Sequence, residues 1–134
     1  MRVVIDTNVL VSGIINPHGP PGRILDAVLS ETIVVLHDDR ILREYRDVLL
    51  RPVFGFEQAD VENVLDFIEF AGEHTSARAT DVILPDSTDL PFLEVAMAGL
   101  ADAQISGNGK HFKPTRGHHE IWVCAPAEFL RRLP

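Results

Sequence analysis

Short apolar runs alternate along the chain with longer stretches in which apolar residues recur every three or four positions. Val3, Val4 and Ile5 are a β-branched run too brief for a helix, which predicts a strand buried on both faces, as inside a parallel sheet. The run stops at Asp6, and Thr7 and Asn8 are residue types that open a helix. Val9, Leu10, Val11, Ile14 and Ile15 supply that helix, and the Pro/Gly cluster from Asn16 to Gly22 reads as a loop. Ile24, Leu25, Val28 and Leu29 repeat at helical spacing, and Thr32 to Leu36 reads as a second fully buried strand. Two such strands with helices between them predict a parallel βαβ arrangement.

The pattern continues to the end of the chain. A helix starting at Asp38 or Asp39 carries the stripe Ile41, Leu42, Tyr45, Val48 and Leu49 and stops by Pro52. Val61, Val64, Leu65, Ile68 and Ala71 mark another amphipathic helix, whose outward face holds Asp60, Glu62, Asn63, Asp66 and Glu69. A strand is expected between Thr75 and Leu84. Phe92, Leu93, Ala96 and Met97 predict a core-facing helix with Pro91 in its first turn. Ala103 to Ser106 and Ile121 to Cys124 read as strands, and Pro126 to Leu133 as a closing helix. With no internal repeat, low-complexity segment or linker, residues 1–134 read as a single domain.

Composition narrows the function classes. Hydrophobic residues make up 46% and charged residues 24% of the 134 positions, ordinary values for a globular chain able to bury a core. No apolar run approaches the ~20 residues needed to cross a bilayer, so no membrane association is expected. Asp6 and Asn8 interrupt any signal-peptide core at the amino terminus. The single cysteine, Cys124, excludes an internal disulfide framework and paired-cysteine zinc sites, and it suits a cytoplasmic location. A net charge of −8 argues against a generic nucleic-acid coat, which would be basic. It is compatible with a site that gathers carboxylates around a cation, and it makes the surface attractive to a basic protein partner.

Candidate chemistry collects where the strands end. Asp6 stands at the carboxyl end of a central strand, where open α/β sheets bind ligands, although the same residue would also serve as a helix cap. Glu44 lies about 100° from the centre of its helix stripe, at the border of the buried face. It is either solvated or leans into a cleft. Asp86 and Asp89 flank the entrance of the helix at Phe92, as caps or as ligands. Ser106 to Lys110 emerge at the same sheet edge as Asp6, whereas Asp102 precedes its strand and belongs to the opposite edge in a structural role. Gly107-Asn108-Gly109-Lys110 lacks the spacing of a phosphate-binding loop. His118 and His119 are weak as a zinc pair, and Cys124 reads as inert packing.

Taken together, these stretches resemble the PIN-domain family, in particular its bacterial and archaeal toxin-like branch. The matching pieces are Asp6-Thr7-Asn8-Val9-Leu10-Val11-Ser12-Gly13, Glu44 within Leu42-Arg43-Glu44-Tyr45, Asp86 to Ala96, Ser106 to Phe112, and the closing Ala125 to Leu130. They run in order over nearly the whole chain; each is weak alone and they are specific together. The resemblance implies a three-layer α/β/α fold with a central, mainly parallel sheet. It also implies a Mg2+- or Mn2+-dependent endoribonuclease, often the toxin half of a toxin–antitoxin pair and commonly a homodimer. Carried over by position, the catalytic acids would be Asp6, Glu44 and Asp89, with Asp86 close by as a further metal ligand. The fourth family acid falls at Asn108, a neutral oxygen donor in place of a charged one.

Magnesium prefers oxygen ligands and keeps several waters, so one or two carboxylates hold it directly and others act through water. Thr7, Asn8 and Ser106 are placed to orient the carboxylates by hydrogen bonds. Arg40, Arg43, Lys110, Lys113 and Arg116 are the candidate RNA-phosphate contacts. Two other readings compete. In one, an interaction module keeps the fold and binds RNA or a protein without cleavage, as Asn108 allows. In the other, the chain is a flavodoxin-like phosphoacceptor domain. The second needs an acidic pair after the first strand, and Ile5-Asp6-Thr7 offers a single acid.

Overall fold

The apolar run at the amino terminus forms β1 (Arg2–Ile5), and Val3, Val4 and Ile5 are fully buried in it. The structure, a computed structural model, describes residues 1–77, 89–107 and 121–133. After β1 come α1 (Thr7–Ile15), α2 (Pro20–Leu29) and β2 (Val34–His37). Next are α3 (Asp39–Leu49), a 3-10 turn (Pro52–Phe54), α4 (Gln58–Ala71) and β3 (Glu73–His74). The order closes with α5 (Leu90–Ala98), β4 (Ala103–Ile105), β5 (Val123–Cys124) and α6 (Pro126–Arg132).

Among the described residues five strands form one sheet in the order β3-β2-β1-β4-β5, and their pairings are parallel. Val3 lies between Val35 of β2 and Ala103 of β4, which fixes the register of the three central strands. The chain therefore moves outward from β1 on one side through β2 and β3, then returns to the other side with β4 and β5. The reversal lies between β1 and β4, the point at which such sheets open a crevice at the carboxyl ends of the strands.

Helices cover both faces of the sheet. Gly99, after α5, lies against the side chain of Leu36, whereas Gly72, after α4, lies against the ring of His37. Neighbouring residues of a strand face opposite sides, so α4 and α5 pack on opposite faces and the fold is three-layered. The core runs through all layers and includes Leu10, Ile24, Leu36, Ile41, Leu49 and Phe129. Tyr45 of α3 is fully buried, donates its hydroxyl hydrogen to the Ile5 carbonyl and packs its ring against Phe92 of α5, with centroids 6.1 Å apart. This residue fastens α3 and α5 to the end of β1.

The Pro/Gly cluster ends as a loop at Gly19, because Pro20 and Pro21 occupy the first positions of α2, where proline gives up only a hydrogen bond that no helix makes. The strand expected between Thr75 and Leu84 falls mostly on residues 78–88, which lie outside the described residues; the two-residue β3 stands just before it. Both β3 residues are exposed, and the strand is held by its pairing to β2 and by the Arg2–Glu73 ion pair at 2.7 Å. Asp102 sits at the opposite edge as expected, where its carboxylate accepts the Arg2 backbone N–H at 2.8 Å. No helix among the described residues is long and apolar enough to cross a membrane.

Candidate acidic site at the β1–β4 switch point

Asp6 follows β1 directly and occupies the N-cap position of α1 with extended backbone, φ −64° and ψ 145°. Its side chain does not cap the helix in the usual way, by accepting from an N–H further into the first turn. Oδ2 instead accepts the Ser106 hydroxyl at 3.1 Å, from the residue just past β4. The backbone completes the link, since the Asp6 N–H donates to the Ile105 carbonyl at 2.9 Å. Asp6 is thus clamped across the switch point from both its main chain and its side chain, with only 6% of its surface exposed.

The other acids come from two further helices, one from the start of α5 and one from the middle of α3. Asp89 immediately precedes α5, is buried, and also makes no capping bond with its side chain. Glu44 stands half-buried on α3, and its Oε2 accepts the Thr7 hydroxyl at 2.6 Å. Burial, together with the negative charges of Asp89 and Glu44, pushes the Asp6 carboxyl up to about 6, against the lowering effects of the Ser106 hydroxyl and the Thr7 N–H. Three carboxylates 38 and 45 positions apart along the chain thereby act on one another at one edge of the sheet.

α3 and α5 are held in register by a second set of charges. Arg40 bridges Asp38 at 2.8 Å and Glu94 at 2.6 Å, and Glu94 is an almost fully buried acid inside the apolar run of α5. Asp38 in turn caps α3 by accepting the Ile41 N–H at 2.9 Å. The bridge lies one helical turn before Glu44 and one turn after Asp89, so it fixes how the two acid-bearing segments approach each other. Glu94 was not singled out from the sequence. An acid flanked by Phe92, Leu93, Val95 and Ala96 is the feature that marks it.

A family model for the PIN domain matches residues 2–110. The chain belongs to the PIN domain family. An uncharacterized protein of Methanocaldococcus jannaschii is 48% identical over 52 residues, which span 39% of this chain and 34% of that relative. A chain in the crystal structure of VapBC2 from Rickettsia felis, bound to a DNA fragment from their promoter, shares the fold with a TM-score of 0.57. That match covers 92% of this chain and 97% of the other at 18% identity.

Within this PIN domain the structure brings Asp6, Glu44, Asp89, Thr7 and Ser106 together. Asn8 is exposed on α1, and its side chain makes no hydrogen bond to the acids among the described residues. Arg40 is engaged with Asp38 and Glu94, while Arg43 is exposed and lines a groove with Asp39, Arg46 and Glu69. Asp86, Asn108, Lys110, Lys113 and Arg116 lie outside the described residues. Among the described residues no three His, Cys, Asp or Glu side chains form a ready metal cage. The donor set still fits a hard cation that retains its waters: carboxylate oxygens only, with Asp6 raised by burial and by its acidic neighbours.

Proposed function

We propose that this PIN domain is a divalent-metal-dependent endoribonuclease and the toxin member of a toxin–antitoxin pair, its 134 residues acting as one nuclease domain in the cytoplasm. The observation that carries the reading is the burial of Asp6 at the sheet's switch point beside Asp89 and Glu44, which together raise its carboxyl to about 6. Buried like charges are retained at a cost to the fold, and a cation is what relieves them.

Asp6 and Asp89 would hold Mg2+ or Mn2+ most directly, with Glu44 acting through bound water and Asp86 and Asn108 completing the set. When bound, the ion polarises the scissile phosphate and lowers the pKa of its water. The protein's own part is orientation. Ser106 aims one oxygen of Asp6, Thr7 aims one oxygen of Glu44, and the Arg40–Glu94 bridge holds their helices at a fixed separation. Arg43, Lys110, Lys113 and Arg116 would meet RNA phosphates. The shared fold with a VapBC2 chain and the net charge of −8 support a basic antitoxin over the acidic edge, and the family resemblance supports a homodimer.

Incubating purified protein with RNA in Mn2+ tests the reading directly. Cleavage that stops in excess chelator and in Asp6→Asn is expected; cleavage that survives Asp6→Asn sinks it. A second reading, a binding module without catalysis, is favoured by Asn108 in place of an acid. It predicts no cleavage of any RNA and no Mn2+ binding.

A further inference from the structure

Beside the acidic site lies a cavity of about 270 Å³ that carries no charge. One wall is α1, which presents Asn8 and Ser12 one turn apart on the same exposed face. Pro20 and Pro21, at the start of α2, form a second wall, and the first residues of α6 at Pro126 form a third. Gly107, which directly follows Ser106, lines it on the side toward Asp6. The walls are rigid: prolines fix their own backbone, and α1 and α2 approach so closely that a Cβ on Gly13 would stand 2.8 Å from the Pro21 carbonyl oxygen.

We infer that this cavity receives an unpaired nucleobase of the RNA strand lying across the acidic site, and that it sets which base flanks the cleaved bond. The inference rests on the nuclease reading above and adds to it a site of recognition. Three features select the occupant. The volume lies just under the range typical of drug-sized ligands, matching a fragment the size of a base. The lining is apolar and uncharged in a protein of net charge −8, so it suits the neutral part of a nucleotide while the charged part turns to the cation. Flat proline faces offer apolar surface to a ring, and Asn8 and Ser12 offer both donors and acceptors to a base edge. A base paired within a duplex has neither its face nor its pairing edge free, so the cavity commits the site to single strands.

Gly107 gives the test a clean handle. Among the described residues a Cβ placed on it meets nothing within 4 Å, and its φ is not in the left-handed region, so Gly107→Phe adds a ring at the cavity wall without a clash with them. The 15N-labelled full chain in chelator is titrated with AMP, CMP, GMP, UMP and ribose 5-phosphate while the amides of Val9, Ser12, Gly107 and Ala127 are followed. At least one nucleotide should shift them, ribose 5-phosphate should not, and Gly107→Phe should weaken the binding at least tenfold. Ser12→Phe, at an exposed helix position, serves if Gly107→Phe melts early. Equal shifts from ribose 5-phosphate, shifts unchanged in both variants, or shifts from an antitoxin but from no nucleotide would overturn the assignment. Cleavage in Mn2+ separates the two readings. Base preference lost in Gly107→Phe supports the cavity, and base preference unchanged there overturns it. Nucleotide binding at these amides without cleavage of any RNA leaves the cavity in place and sinks the nuclease.

Discussion

The Ser106 hydroxyl donates to Asp6 Oδ2 at 3.1 Å, joining residues one hundred positions apart at the seam between β4 and β1. The bond stabilises the ionised carboxylate and so works against the burial and repulsion that raise it. Ser106→Ala should move the acidic limb of the Mn2+-dependent rate profile to higher pH and lower the rate at neutral pH by about 10–100-fold, the usual effect of losing a group that orients a ligand. An unshifted pH profile would show that the hydroxyl does not tune Asp6.

Asp6 itself should be a liability to the metal-free fold. Its folded value of about 6 lies above the ~3.9 of an unfolded aspartate, so the folded state holds the proton more tightly. Stability is therefore full at low pH and is lost as pH rises from about 4 through 6. At about 1.36 kcal/mol per unit, Asp6→Asn should be more stable than the parent by roughly 2–3 kcal/mol at pH 8, an advantage that vanishes below about pH 3. Urea unfolding in chelator measures this. Saturating Mn2+ should erase the advantage, because only the parent gains from binding the ion.

The Thr7–Glu44 bond of 2.6 Å makes a separate prediction. Thr7→Val keeps the side-chain shape and should reduce stability by only about 1 kcal/mol. Cleavage should fall at least about tenfold, since Glu44 then samples several rotamers. Thr7→Ser should restore most of the rate. Equal losses in both variants would assign Thr7 to packing alone.

Arg40 is expected to act on the fold before it acts on RNA. Arg40→Met removes the guanidinium from Glu94, whose side chain is only 6% exposed, and should destabilise by about 1–3 kcal/mol in urea unfolding. Pairing it with Glu94→Leu should recover the share of that loss due to Glu94, while Asp38 keeps the Ile41 N–H as a partner. A double variant as unstable as the single one would place the role of Arg40 elsewhere.

The sheet was legible because burial on both faces leaves unbroken β-branched runs, as in Val3-Val4-Ile5. β3 was not, since Glu73 and His74 have no apolar pattern and owe their strand to pairing with Leu36 and His37. α2 was read short because the glycines around Pro20 and Pro21 look like a loop until a helix is seen to begin there. Asp6 and Asp89 could be placed at helix entrances from their neighbours. Whether they cap the helices or face each other depends on partners such as Ser106, a hundred residues away. Glu94 escaped for the same reason: its partner Arg40 lies 54 positions earlier.

The strand order carries a consequence for synthesis. Because β1 pairs with β4 as well as β2, the first strand waits at the middle of the sheet with one side open until Ala103–Ile105 arrives. Asp6 and Ser106 can meet only then. A nascent chain therefore leaves the ribosome without this contact until β4 has emerged, and whatever chemistry the edge performs is withheld from the cell until that moment.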